Sequence, residues 1–215
     1  MSTIAIIGGH GGVGLLLSRD LVSSGHTVRS VFRDPAQSDD VTQTGAEAVV
    51  ADIETSSAEE LATAIGAADA IVFTAGNGGK GGPEKTEAID HQGALKSIEV
   101  ATRLATTRFV IVSYLGADEP TSSEGMQDYQ RAKHAADEAV RASDLAWTIL
   151  RPGTLNDDDA SGVTIDPSLT EGTTSRANVA AVIAALVTTH PAPRQVLNVV
   201  DGDTSVADAL EALQG

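Results

Sequence analysis

Apolar positions along this chain follow two rhythms, short unbroken runs and longer stretches at helical spacing. Thr3-Ile4-Ala5-Ile6-Ile7 is an apolar run closed by glycines, the pattern of a strand buried on both faces. Val13, Leu16, Leu17 and Leu21 then recur at helical spacing, and Gly25 follows as a natural C′ residue. The β-branched stretch Thr27 to Phe32 predicts a second strand, and Ala48-Val49-Val50 a brief third. A helix is expected over Ser57 to Ile65 and a fourth strand over Ala70 to Phe73. Pro83 opens a long helix to about Ala105, since proline is tolerated in a first turn. Phe109 to Val112 predicts the fifth strand, Asp128 to Ala142 a helix, and Trp147 to Leu150 the sixth strand, stopped by Arg151-Pro152-Gly153. Thr154 to Thr174 reads as polar and irregular. A helix over Asn178 to Val187, a strand over Val196 to Val199 and a terminal helix over Val206 to Leu213 complete the chain.

Alternation of strand and helix without a linker or repeat predicts the α/β class: a doubly wound parallel sheet, Rossmann-like, with strand order 3-2-1-4-5-6. The 215 residues fit one domain, 1–215, with a small substrate-side loop region around 154–175.

Composition narrows the choice of partner. Fourteen Lys and Arg face 30 Asp and Glu, a formal net charge of −16. A field of that sign repels nucleic-acid backbones and anionic lipid, so neither is an expected partner. The absence of cysteine excludes disulfides, zinc–cysteine sites and a thiol nucleophile. The start carries no basic leader and no apolar run spans a bilayer, which makes the cytoplasm the expected compartment.

The first strand runs into Gly8-Gly9-His10-Gly11-Gly12-Val13-Gly14, which satisfies G-x-G-x-x-G between a strand and a helix. Glycine there permits a tight turn, lets backbone N–H groups approach a pyrophosphate, and packs helix against strand. Every residue of this turn is a candidate cofactor contact, and a bulky side chain at Gly11 or Gly14 is expected to fill the pyrophosphate's approach. Arg33 and Asp34 end the second strand, where a cofactor's ribose is read. Arg33 continues the strand, whereas Asp34 precedes Pro35 and turns away. A guanidinium matches a 2′-phosphate bidentately, so NADP is favoured, and the adjacent carboxylate keeps NAD open. Asp52 is placed either to bond the adenine amino group or to serve as a solvated acid before the next helix. Ala75 and Gly76, in a second glycine-rich loop after the fourth strand, are expected against the cofactor, with Lys80 a candidate phosphate contact.

Ser113 ends the fifth strand, and Tyr129 and Lys133 stand four apart on one helical face. An ammonium beside a phenol lowers its pKa, so this trio is the candidate catalytic set: Tyr129 exchanges a proton with a carbonyl or alcohol that the Ser113 hydroxyl also holds, and Lys133 is also expected to bond the cofactor's nicotinamide ribose. No paired-histidine motif is present, Asp157-Asp158-Asp159 lacks ligand spacing, and no metal site is expected. His10 reads as a surface-loop histidine and Trp147 as core.

The order of the glycine turn, Arg33, Thr74-Ala75-Gly76, Ser113, Tyr129-x-x-x-Lys133 and Thr148-Ile149-Leu150-Arg151-Pro152-Gly153 resembles the short-chain dehydrogenase/reductase superfamily. More narrowly, it is similar to the atypical branch of flavin/biliverdin-IXβ reductases and NmrA-like proteins. That resemblance implies that the glycine turn and Arg33 bind NADP and that Pro152 and Gly153 line the nicotinamide pocket. It implies an oxidoreductase moving hydride to or from a small carbonyl, quinone or flavin-like acceptor; the alternative is a non-catalytic NAD(P)-binding sensor. A sugar-nucleotide epimerase is disfavoured, because little chain follows Arg151 to build a substrate domain. The sequence departs from the superfamily at Asp90-His91-Gln92-Gly93, where typical members have Asn-x-x-Gly. Substrate and oligomeric state are not legible.

Overall fold

In a computed structural model, which describes residues 1–78, 81–119, 121 and 123–214, the apolar runs become neighbouring strands of one sheet. The first half runs β1 (Thr3–Ile7), α1 (Gly12–Ser23), β2 (Thr27–Phe32), α2 (Ser38–Thr42), β3 (Glu47–Val50), α3 (Ala58–Ile65) and β4 (Ala70–Phe73). Next come α4 (Gly82–Thr86), a π-helical segment (Glu87–Gln92), α5 (Gly93–Arg103), β5 (Arg108–Val112) and α6 (Gln127–Ala142). The last part holds β6 (Trp147–Pro152), β7 (Thr154–Asn156), β8 (Gly162–Ile165), β9 (Thr173–Ser175), α7 (Arg176–Thr188), β10 (Gln195–Gly202) and α8 (Val206–Glu211).

Sheet order is β3-β2-β1-β4-β5-β6-β10-β8, so the first six strands stand in the expected doubly wound order. All pairs are parallel except β10 with β8. Alternation along β1 explains why the run is apolar throughout. Ile4 and Ile6 pack on the face covered by Leu17, Leu21, Val179 and Ile183 of α1 and α7. Ala5 and Ile7 pack on the opposite face with Leu61, Val100 and Ala136 of α3, α5 and α6. Trp147 is buried in that second layer.

Three expectations need correction. The sixth strand is not stopped at Leu150 but continues through Arg151 and Pro152, which pair with Asn198 and Val199 of β10. Proline sits at the strand's last position, where its carbonyl accepts from Leu115 N at 2.8 Å and its missing N–H breaks little. The 154–174 segment is not irregular: β7 pairs with β9, and β8 adds an antiparallel edge, seated by the fully buried Val163. The long helix after Pro83 is interrupted by its π-helical turn, which carries Asp90 into the interior with no exposed surface. Among the described residues no helix is long and apolar enough to cross a membrane, and none of them form a cluster of three or more potential metal ligands.

Candidate functional site

Two cavities open at the carboxyl ends of the strands. The first, about 530 Å³, is walled by the glycine turn, the end of β2, residues 51–54 and the loop after β4. Gly8 and Gly9 N–H groups both donate to Val31 O, at 3.0 and 2.9 Å, which bends the chain sharply over β2. Gly8 lies at φ +97°, and a Cβ there would stand 2.5 Å from Ala75 N. The turns after β1 and β4 therefore touch only because residue 8 is glycine. α1 starts at Gly12 with no side-chain cap and no acid in its first turn, which leaves its first N–H groups open to an anion.

Within the turn, Gly8, His10 and Gly11 face the cavity, as do Ala75, Gly76, Arg33 and Asp52. Gly9, Gly12, Val13 and Gly14 do not line it. A Cβ on Gly9 would meet Ser30 and one on Gly12 would meet Arg176, while Val13 is buried in the core. Gly14 faces backbone: a Cβ there would sit 2.5 Å from Gly8 O. A bulky residue at Gly14 would thus break the turn itself, whereas at Gly11, whose Cβ would be 3.2 Å from Gly8 O, it would mainly crowd the cavity. His10 bonds Asp40 Oδ2 through Nε2 at 2.9 Å.

At the far end Arg33 points into the cavity, while Asp34 caps the following turn by accepting from Ala36 N. Asp52 accepts from Glu54 N at 2.9 Å. The sequence reading missed Glu54, which receives Arg33 Nη1 at 3.2 Å and Lys85 Nζ at 2.6 Å. Two cations from distant elements converge on one carboxylate. Lys80 lies outside the described residues.

The second cavity, about 480 Å³, is lined by Ser113, Tyr114, Tyr129, Pro152 and Gly153, with Gly78 from the same β4 loop. Tyr114 and Tyr129 rings lie 5.3 Å apart at a 45° tilt. The expected trio is only partly a unit. Ser113 and Tyr129 share the cavity wall, but Lys133 is buried behind it and lines neither cavity, so the expected contact of its ammonium with the cofactor's ribose is corrected. Its Nζ donates to Val112 O at 2.8 Å, stands 3.5 Å from Asp90 Oδ1, and lies 5.9 Å from the centre of the Tyr129 ring. Burial pulls the ammonium's pKa down, but Tyr129, Asp90 and Asp137 around it outweigh that and leave it raised. Burial also raises the Tyr129 pKa, against the pull of Lys133 and with the help of Asp90 and Asp137. The expected lowering of the phenol pKa is therefore corrected: desolvation wins. Burial pushes Tyr114 up to about 12.

Ser113 donates to Asp137 Oδ2 at 3.0 Å, so its proton is spoken for, and its oxygen turns lone pairs rather than a donor toward the cavity. Arg151 holds the same Asp137 oxygen through Nε and Nη2 at 3.0 and 2.7 Å, and grips Asp118 with two bonds of 2.6 Å. That guanidinium keeps the Asp118 carboxyl well below the usual carboxylate range. The sequence reading missed Asp137, Asp118 and the role of Arg151. The one available signal was the i, i+4 step from Lys133 to Asp137, which continues the Tyr129 face one turn further.

Residues 8–190 match a family model described as NAD(P)H-binding. Over 213 residues the chain is 37% identical to a Bacillus subtilis (strain 168) protein named uncharacterized sugar epimerase YhfK, covering 98% of this chain and 99% of that one. A solved Bacillus halodurans structure, described as a candidate NAD-dependent epimerase/dehydratase, superposes with a TM-score of 0.91 and 33% identity over 99% of this chain and 100% of that one. ChuY from Escherichia coli O157:H7, described as an anaerobillin reductase, superposes with a TM-score of 0.77 and 25% identity over 95% of this chain and 99% of that one.

Proposed function

Because the chain belongs to the NAD(P)H-binding family, we propose that it is an NADP-dependent oxidoreductase, moving hydride to or from a small carbonyl, quinone or flavin-like acceptor. One observation carries the reading: the loop after β4 borders both cavities, with Thr74 to Asn77 on the first and Gly78 on the second. A ligand lying across that loop would border both Arg33 and Tyr129.

The residues present fit a dinucleotide. The glycine turn leaves a cradle that a Cβ on Gly11 would begin to fill, and the uncapped N-terminus of α1 faces it. Gly8 and Gly11 bring backbone close to the pyrophosphate, while Gly14 and Gly9 keep α1 and β2 near enough for the turn to hold its shape. Arg33 reads the 2′-phosphate, and Asp52 with Ala75 and Gly76 borders the adenosine half. Pro152 and Gly153 wall the nicotinamide end. The reduced nicotinamide, when bound, supplies hydride. Tyr129 Oη exchanges the proton at the substrate oxygen, Ser113, its own proton given to Asp137, offers lone pairs to a donor group elsewhere on the substrate, and Lys133 steadies the Tyr129 ring from behind. Glu54 favours a second reading in one respect, because a carboxylate at this end also suits the ribose hydroxyls of NAD.

Titration with NADPH and NADH, followed by an acceptor screen, tests the proposal. We expect tighter NADPH binding and steady NADPH oxidation with at least one acceptor. With a carbonyl acceptor, Tyr129→Phe should lower turnover by about 10²–10⁴-fold and leave cofactor affinity nearly intact. Tight binding without turnover on any acceptor would select the sensor instead, and absence of binding would remove the whole reading.

A further inference from the structure

Asp90 is a buried acid whose place in the site the reading above does not use. It reaches the interior because the π-helical turn over Glu87–Gln92 shifts the helix register by one residue there. One oxygen, Oδ2, accepts from Asn77 N at 3.2 Å and so pins the loop that borders both cavities. The other, Oδ1, faces Lys133 Nζ at 3.5 Å and has no hydrogen-bond partner of its own. Lys133 in turn is fixed by Val112 O. The lysine therefore stands between a carboxylate oxygen at 3.5 Å and the Tyr129 ring, whose centre is 5.9 Å away.

Resting on the oxidoreductase reading, we propose that Asp90 is a positioning residue that takes up the charge of Lys133 and so commits the site to reducing carbonyls rather than oxidising alcohols. Alcohol oxidation needs Tyr129 to begin as a phenolate and take a proton. Carbonyl reduction needs it to begin as a phenol and give one. In the reducing direction the O–H bond of Tyr129 breaks and its proton goes to the carbonyl oxygen. A bound reduced nicotinamide would supply the hydride that the carbonyl carbon takes up, and water would restore the phenol. An asparagine at position 90 would leave Lys133 free to favour the phenolate; the aspartate cancels that push.

The groups around Tyr129 act in both directions, Lys133 toward the phenolate and Asp90 and Asp137 toward the phenol. Lys133 and Asp137 lie on its own helix, Asp90 on the π-helical turn, Tyr114 beyond β5, and Arg151 of β6 behind Asp137. Burial and the two acids outweigh the single ammonium.

The chain contains two tyrosines, so Tyr114→Phe leaves Tyr129 as the only phenol. Its ionisation can then be followed by ultraviolet difference absorption in the cofactor-free protein, independently of whether any acceptor has been found. We expect a midpoint above the ordinary value of about 10. Adding Asp90→Asn should lower it by about one unit or more, a tenfold rise in the ionisation constant, while Lys133→Gln should move it upward. Near-ultraviolet circular dichroism checks that each variant is folded. A midpoint at or below the ordinary value with Asp90 intact overturns the proposal by itself, whether or not the Asp90→Asn protein folds. An unmoved midpoint in folded Asp90→Asn also overturns it. Once an acceptor is known, Asp90→Asn should shift both the basic limb of the reduction profile and the acid limb of the oxidation profile to lower pH.

Discussion

The two cavities are built by different means. The first is a backbone site: a left-handed Gly8, an uncapped helix start and two glycine-bearing loops define it, and its charged groups, Arg33 and Lys85, reach in from the surface. The second is a side-chain site. Behind Ser113 and Tyr129 lie Lys133 with Asp90, and Arg151 with Asp137, all nearly or wholly buried. A backbone site tolerates change in its polar rim, because its shape does not depend on the rim. A site resting on buried charge does not, since removing one ion strands another. The two halves of one ligand site should therefore respond to mutation in different currencies, affinity on one side and stability on the other.

The largest effect should come from Arg151→Met. It strips Asp137, which has no exposed surface, of its hydrogen-bonded cation and removes the two Arg151 bonds to Asp118, leaving that carboxylate Arg141 Nη2 at 3.2 Å. Breaking a buried pair of this kind costs about 3–5 kcal/mol, measurable by urea denaturation at pH 7. The loss should shrink on acidification for two reasons, which rest on pKa shifts in opposite directions. Burial raises the Asp137 pKa even in the wild type, so lowering the pH protonates the stranded carboxyl in the variant and relieves it. Asp118 is depressed in the wild type, so its contribution is present above the ordinary carboxylate pKa and fades below it. A loss under about 1 kcal/mol at pH 7 would mean that water reaches Asp137 and that the second cavity is no more dependent on buried charge than the first.

The same contrast explains what was legible in the sequence. Strand runs such as Ile4 to Ile7 and the turn that follows are local signals, because burial on both faces and the demands of a tight turn are written in consecutive residues. The order of the first six strands followed from their alternation with helices. Side-chain networks carry no such signature. Asp137 meets Ser113 across 24 positions and Arg151 across 14, and nothing periodic joins them. Spacing pairs the lysine with its tyrosine because the two lie on one helix, while the competing Asp90 arrives from another element through a π-helical turn that spacing does not announce. Proline at position 152 reads as a stop in the sequence, yet a strand can end on proline where only its carbonyl is needed.

On the backbone side, Arg33→Ala should leave stability nearly unchanged and act on affinity alone. A charge-assisted hydrogen bond contributes about 1.5–3 kcal/mol, and with the side chain 62% exposed the lower end is expected, roughly tenfold in the NADPH dissociation constant. NADH, which lacks the 2′-phosphate, should bind as before. Equal losses for both cofactors would show that Arg33 packs against the adenine instead, and a large loss of stability would erase the distinction between the two cavities.

The smallest effect concerns Glu54 and separates the two cofactors most sharply. Its side chain is 16% exposed and receives Arg33 at 3.2 Å and Lys85 at 2.6 Å, so the cations that would meet a 2′-phosphate are already engaged by a carboxylate. A phosphate entering there must displace or repel that carboxylate. Glu54→Gln keeps the shape and one oxygen acceptor but removes the charge, which frees both cations and removes the repulsion. An exposed pair of this kind is worth about 0.2–1 kcal/mol, so NADPH should bind up to about fivefold more tightly. NADH affinity should stay level, because the ribose hydroxyl loses only a charged acceptor for a neutral one. Isothermal titration of the variant with both cofactors decides the point. If NADPH gains nothing while NADH weakens about tenfold, Glu54 is the acceptor of the ribose 2′-hydroxyl, Arg33 merely holds it in place, and NAD is the cofactor of this site.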